Sequence, residues 1–166
     1  MAASTDTAEF LKNVRLFKHI EEPELGALAA SLRERPLRKG QVLFREGDGG
    51  EEMFIVRRGS IVISKAVKDR VEQVLARIGP GDFFGEMALF DRSPRSATVQ
   101  TDSDSTLLVL DRDALDTLTV NSPRAAAAFF HALVQVFIER LRASGDLVAE
   151  VTRWGLEATG LDVESR

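Results

Sequence analysis

The residues of this chain that could recognise a small charged ligand are concentrated in one stretch, GPGDFFGEMALFDRSPRSATV, between positions 79 and 99. Arg95 carries a planar guanidinium whose N–H groups suit two oxygens of a phosphate. Gly85 precedes a short predicted helical turn, and glycine there lets an anion come close to backbone N–H groups. Ser96 adds a hydroxyl donor and Ala97 a backbone N–H donor. This combination of donors predicts an anion site.

Glu86 restricts the ligand further. A carboxylate only accepts hydrogen bonds, so beside an anion it must bind another part of the ligand, such as a ribose hydroxyl. One arginine and one glutamate therefore indicate a single negative charge and a free hydroxyl, as in a ribose closed by a cyclic phosphate. A nucleoside triphosphate fits poorly, since the chain lacks the Gly-x-x-x-x-Gly-Lys-Ser/Thr loop. The alternative is a structural ion pair between Glu86 and Arg95.

Short apolar runs separated by glycine turns surround this stretch. The runs are QVLFRE, MFIVRR, SIVISKAV, VEQVLARI, SATVQT and STLLVLD. They predict an antiparallel, jelly-roll-like β-roll, because the connections are too short for crossover helices. The predicted fold is therefore α+β, with N-terminal helices at 1–32, the roll at 33–111, the ligand segment at 84–98, C-terminal helices at 112–154 and a tail at 155–166.

The predicted helices differ in their apolar surfaces. Residues 5–20 and 24–32 predict two N-terminal helices, the first of them amphipathic. A long helix follows Asn121-Ser122-Pro123, and its apolar arc spans roughly 200°, about twice the stripe that one core requires. The excess predicts a second apolar contact, most simply a homodimer through residues 124–144. The alternative is a helix clamped between the roll and the N-terminal helices.

The motifs FGEMAL (84–89) and PRSATV (94–99) resemble the phosphate-binding cassette of the cyclic-nucleotide-binding domain family. That family includes catabolite activator proteins, regulatory subunits of cAMP-dependent protein kinase and cyclic-nucleotide-gated channels. The resemblance covers about residues 10–141 and includes the leader LKNVRLFKHI, the run GQVLFREGD, the strand IVRRGSIVIS and the closing STLLVLDRDAL.

The resemblance implies a role for each matching position. Glu86 would hold the ribose 2′-hydroxyl, and Arg95 would clamp the exocyclic phosphate oxygens. The long helix would act as a movable lid, on which Arg140 and Ser144 would contact the nucleotide; a snorkelling Arg140 is the alternative. The remaining implied ligand contacts are Phe84, Gly85, Met87, Ala88, Ser96 and Ala97 in the cassette, with Ile63 and Leu75 as apolar lining of the pocket.

Composition excludes several other classes of function. The net charge of −4 disfavours nucleic acid as a partner, and no apolar run is long enough to cross a membrane. The absence of cysteine excludes a thiolate metal site, and His19 and His131 stand too far apart in sequence to indicate one. We therefore expect a cytoplasmic, non-enzymatic sensor of cAMP or cGMP with no metal cofactor and an unidentified downstream protein partner.

Two other functions remain open at this stage. One is a protein-association scaffold with an unoccupied pocket. The other is the regulatory part of a transcription factor, since no predicted helix-turn-helix follows Ser144. Ser96 is compatible with cGMP but also occurs in cAMP binders, so the sequence favours cAMP only slightly.

Overall fold

The computed structural model describes the backbone of residues 2–68 and 71–158. Within them, eight strands form two four-stranded sheets in which all strand pairs are antiparallel. The strand bounds are β1 Arg33–Leu37, β2 Val42–Phe44, β3 Glu52–Arg58, β4 Ile61–Lys68, β5 Val71–Ile78, β6 Phe83–Phe84, β7 Thr98–Thr101 and β8 Ser105–Asp111. One sheet has the order β1-β8-β3-β6 and the other β2-β7-β4-β5. The predicted α+β fold with an antiparallel roll is confirmed.

The core of the roll lies between these two sheets. Its buried side chains come from both sheets. They are Leu37, Phe54, Val56, Ile61, Phe84, Val99, Leu107 and Val109. Where one strand contributes two of them they are two residues apart, so they lie on the same face of that strand. Phe44, Phe54 and Phe84 bring their ring centroids within 5.3–6.2 Å of one another. This aromatic cluster lies under the cassette, because β6 ends at Phe84, directly before Gly85.

Four α-helices and one short 3₁₀ turn lie in the described residues. They are α1 Ala2–Leu11, α2 Glu24–Ser31, α3 Arg112–Asn121, α4 Pro123–Ala158 and the 3₁₀ turn Glu86–Leu89. Asp111 caps α3, because its side chain accepts a hydrogen bond from the Ala114 N–H at 2.9 Å. The cap fixes where the roll ends and the C-terminal helices begin.

The N-terminal segment corrects one prediction. The single amphipathic helix expected over residues 5–20 ends at Leu11, and turns follow it. Val14, Phe17 and Ile20 each donate a backbone N–H to the carbonyl three residues earlier. All three side chains are nevertheless buried, so turns of three residues place them inward as a helix would. Asn13 assists this break, since its side chain binds the Glu9 carbonyl.

The described residues fall into two compact units, which divide after Phe129. In the first unit, the start of α4 packs onto the N-terminal segment: Phe129 stacks on Phe17 with centroids 5.7 Å apart. In the second unit, α4 continues through Gly145 to Ala158, past the predicted end at Trp154. Within the predicted tail, residues 159–166 lie outside the described part of the chain.

Two kinds of feature do not occur in the part of the chain that the structure describes. None of the helices there combines the length and the apolar character that a membrane crossing requires. No group of three or more His, Asp or Glu side chains there is arranged to hold a metal ion.

Candidate functional site

The backbone of Arg95 is fixed by the loop between β2 and β3. The Arg95 N–H donates to the Asp48 carbonyl at 2.7 Å, and the Arg95 carbonyl accepts from the Gly47 N–H at 2.8 Å. The loop is itself closed by the Asp48 side chain, which accepts from the Arg45 N–H at 2.7 Å. The backbone of Arg95 is therefore held in place by a loop that lies about fifty residues earlier in the sequence.

The guanidinium of Arg95 is buried, with only 8% of the residue exposed. Its Nη1 donates to the Glu52 carbonyl at 3.0 Å and more weakly to the Gly85 carbonyl at 3.4 Å, and its Cζ lies 4.2 Å from the centre of the Phe44 ring. Its Nε is buried and has no hydrogen-bond partner. Burial lowers the pKa of Arg95, while the charges of Glu52 and Asp48 oppose that shift. A fixed, desolvated cation with an unused donor is well suited to bind an anion.

Two glycines allow the chain to pack this closely around the guanidinium. A Cβ added at Gly50 would lie 2.6 Å from Arg95 Nε and 2.7 Å from its Cζ. A Cβ at Gly85 would lie 2.9 Å from Arg95 Nη1, and Gly85 also has a φ of +75°, in the left-handed region. Neither position accepts a side chain unless the arginine moves.

Glu86 is the first residue of the 3₁₀ turn and follows Gly85 directly. It is 4% exposed, an unusual degree of burial for a carboxylate. Since Gly85 accepts a hydrogen bond from Arg95, the backbone brings the arginine and the start of this turn together. The structure thus brings the two principal predicted residues to one end of the roll, both buried.

The other predicted cassette residues differ in exposure. Phe84 is buried in the aromatic cluster, and Ala88 and Ala97 are also buried. Ala88 uses its N–H within the turn, donating to the Gly85 carbonyl at 3.2 Å. Ser96 is exposed, and Met87 is 58% exposed, which is high for an apolar side chain.

Ile63 and Leu75, the predicted apolar lining, lie on the paired strands β4 and β5. Ile63 is half-buried and packs against the core cluster. Leu75 is 52% exposed and lies at a β-bulge, since Ile63 pairs with Ala76 and Ser64 with Val74. Its neighbour Val74 is 50% exposed as well, so both faces of β5 are open to solvent at this point. Their contact with a nucleotide stays a prediction.

Arg140 and Ser144, the predicted lid residues, lie on α4 in the second unit and are both exposed. Their role as nucleotide contacts also stays a prediction.

Sequence reasoning missed three groups that contact Arg95: the carbonyl of Glu52, the ring of Phe44 and the backbone at Gly50. The Gly49-Gly50 pair was visible in the sequence, but only as a turn signal. Carbonyl groups and core aromatics carry no such local signal, because their role depends on which strands lie side by side.

Comparison with known proteins agrees with this geometry. The sequence model of the cyclic nucleotide-binding domain matches residues 34–122. Among curated proteins, the CRP-like cAMP-activated global transcriptional regulator of Mycobacterium tuberculosis is 29% identical over 143 residues. The match covers 86% of this chain and 62% of that protein, so the chain spans less than two thirds of this relative's length.

Solved structures show the same fold. A cyclic nucleotide-binding domain from Methylobacillus flagellatus matches with a TM-score of 0.77 at 27% identity, over 89% of this chain and 85% of that one. The regulatory domain of Toxoplasma gondii PKA, co-crystallised with cAMP, matches with a TM-score of 0.63 at 34% identity, over 70% of this chain and 44% of that one. The family match spans Glu86, Arg95 and the strands that position them, and the chain therefore belongs to the cyclic nucleotide-binding domain family.

Proposed function

We propose that this protein binds a cyclic nucleotide, with Arg95 on the phosphate and Glu86 on the ribose 2′-hydroxyl, and that it acts as a sensor rather than an enzyme. The observation that carries the proposal is the buried Arg95 guanidinium, whose Nε has no partner. A buried, unsatisfied donor costs stability, so its retention is explained if a ligand oxygen completes it. Membership of the family and the regulators among its relatives support the same role.

We rank cAMP ahead of cGMP. The curated relative described above is named as cAMP-activated, and the matching PKA regulatory domain was crystallised with cAMP. Titration calorimetry with cAMP, cGMP and 5′-AMP tests the proposal. We expect saturable binding of a cyclic nucleotide and much weaker binding of 5′-AMP, whose open phosphate carries a second charge beside Glu86. No heat and no thermal shift with either cyclic nucleotide at millimolar concentration would favour the scaffold alternative.

Replacing Glu86 with glutamine should weaken cAMP binding by about tenfold or more, because a hydrogen bond to a charged acceptor contributes roughly 1.5–3 kcal/mol. The measurement is the dissociation constant of cAMP and of 2′-deoxy-cAMP for wild type and Glu86→Gln. Wild type should bind the deoxy analogue more weakly, and the substitution should have little further effect on it. Equal losses for both nucleotides would show that Glu86 acts elsewhere.

We further propose that binding is signalled through α4, including Arg140 and Ser144. Trp154, the single tryptophan of the chain, lies exposed on this helix and reports on it directly. The emission maximum or the anisotropy of Trp154, excited at a wavelength where the nucleotide does not absorb, should change with cAMP at the affinity that calorimetry gives. Saturable binding without any change in Trp154 would contradict signalling through this helix.

A homodimer through α4 is the third part of the proposal. The first turns of α4 are covered by the N-terminal segment, as the clamp alternative expects, but apolar side chains beyond them are exposed. Val134, Leu141 and Val148 repeat every seven residues and are 53%, 74% and 66% exposed. A seven-residue apolar repeat is the pattern by which two helices pack along a common seam, so a second copy is the occupant we propose.

The mass in solution decides this point. Sedimentation should give about twice the chain mass of 18.3 kDa for wild type, because the seam buries these side chains. Leu141→Glu should shift the protein toward the monomer, and Gln135→Glu, an equal change in charge at another exposed position of α4, should not. A monomeric wild type across the micromolar range, with and without cAMP, would refute the dimer.

A further inference from the structure

Arg112, the first residue of α3, contacts the cassette from a part of the chain to which the sequence assigned no ligand contact. Its Nη2 donates to the Ala88 carbonyl at 3.2 Å across 24 residues of sequence. The side chain is half-buried, and its Nε is buried without a hydrogen-bond partner. Arg112 therefore directs one donor of a half-buried cation to the 3₁₀ turn.

The hydrogen bonding of the turn explains why this donor is needed. The Met87 carbonyl accepts both the Phe90 N–H at 3.0 Å and the Asp91 N–H at 2.9 Å. In a continuing 3₁₀ helix the Asp91 N–H would donate to the Ala88 carbonyl. Among the described backbone bonds it donates to the Met87 carbonyl instead. Ala88 is 6% exposed, so water has little access to its carbonyl. Arg112 satisfies an acceptor that the turn itself leaves open.

We propose that Arg112 is a positioning residue for ligand binding: by holding the Ala88 carbonyl, it fixes the 3₁₀ turn that carries Glu86 and thereby sets the affinity for the ligand. This inference rests on the proposed function. Because Arg112 is the first residue of α3, its side chain also connects the cassette to that helix. A turn held in one position before binding loses less conformational freedom when the ligand arrives, so affinity falls when the hold is removed.

The first test compares Arg112→Met with Arg57→Met. Arg57 is a matched control, since it is a part-buried arginine that bonds to Asp6 and Glu34 and makes no described contact with the cassette. Arg112→Met should raise the dissociation constant for cAMP about tenfold. Arg57→Met should lower the melting temperature at least as much yet leave the dissociation constant within twofold of wild type. Affinity that falls equally in both variants would mean that Arg112 acts only through general stability.

Arg112→Lys keeps a charged donor and should recover part of the lost affinity. An Arg112→Lys protein that binds no better than Arg112→Met, or an Arg112→Met protein within twofold of wild type, would overturn the proposal. If Arg112→Met fails to fold, the affinity of Arg112→Lys for cAMP is compared with that of wild type instead.

Hydrogen exchange of the ligand-free protein tests the contact separately from nucleotide binding. Without Arg112 the turn should open more often, so the Phe90 and Asp91 amides should exchange at least about fivefold faster, while amides of β8 keep their wild-type rates. Unchanged exchange at both amides refutes the positioning role. If wild type binds neither nucleotide, the proposed function fails, and this exchange measurement alone still decides whether Arg112 holds the turn.

Discussion

Arg95→Met should weaken cAMP binding about hundredfold or more and leave the ligand-free protein folded. In the proposed site the lost interactions would be charge-assisted hydrogen bonds to the ligand phosphate, which contribute roughly 1.5–3 kcal/mol each. Stability should change little, because two effects oppose each other. The substitution removes a charge that burial disfavours, as the lowered pKa of Arg95 indicates, and leaves the Glu52 and Gly85 carbonyls without their donor. Calorimetric titration with cAMP and the melting temperature without ligand measure the two quantities.

Arg92→Met is the matched control for this prediction. Arg92 lies in the same loop, is exposed and has the same charge. Its loss should change the affinity for cAMP by no more than about twofold at physiological salt, because exposed charges are well screened. An Arg95→Met protein that binds cAMP as tightly as the Arg92→Met protein would disprove the assigned phosphate site.

Gly50→Ala should cause the second large loss, at least about tenfold in affinity for cAMP, although it alters no charge and no hydrogen-bonding group. The new Cβ would lie 2.6 Å from Arg95 Nε, closer than real Cβ contacts allow. The guanidinium must therefore move away from the Glu52 carbonyl and from its position over the Phe44 ring. If Arg95 binds the phosphate as proposed, a displaced arginine would no longer offer its Nε to the ligand, and the affinity would fall through geometry alone. The dissociation constant of cAMP is again the measurement.

Gly49→Ala provides a sharp control for that result. Gly49 is the neighbouring residue, its added Cβ would meet nothing within 4 Å, and neither glycine has a positive φ. Alanine at position 49 should therefore leave affinity and stability close to wild type. If Gly49→Ala and Gly50→Ala lose affinity equally, the flexibility of the loop, and not the packing of Arg95, is the property that matters.

The two glycines also show where sequence reasoning was limited. Both residues indicate a turn, and nothing in the local sequence distinguishes them. Only the fold shows that Gly50 lies against an arginine 45 positions later, while Gly49 faces open space. The same holds for Arg112, whose partner Ala88 comes close only after β8 and α3 are in place.

Strand prediction had the same limit. The six predicted apolar runs correspond to β2, β3, β4, β5, β7 and β8. A short apolar run bounded by turn residues indicates a strand even where, as in β3 and β8, the buried residues are consecutive. β1 was missed, since four of its five residues are exposed and it contains Pro36, as an edge strand permits. β6 was missed because two residues, Phe83 and Phe84, are too few to show a period.

The sequence alone determined the fold class, the position of the cassette and the pair of charged residues proposed to bind the ligand. These features are encoded locally, in short apolar runs, in glycine turns and in short motifs. The tertiary structure decided which groups surround Arg95, that its Nε is left without a partner and that Arg112 reaches the turn. Those facts depend on contacts between residues far apart in the chain, and such contacts exist only once strands from distant segments have paired and excluded water.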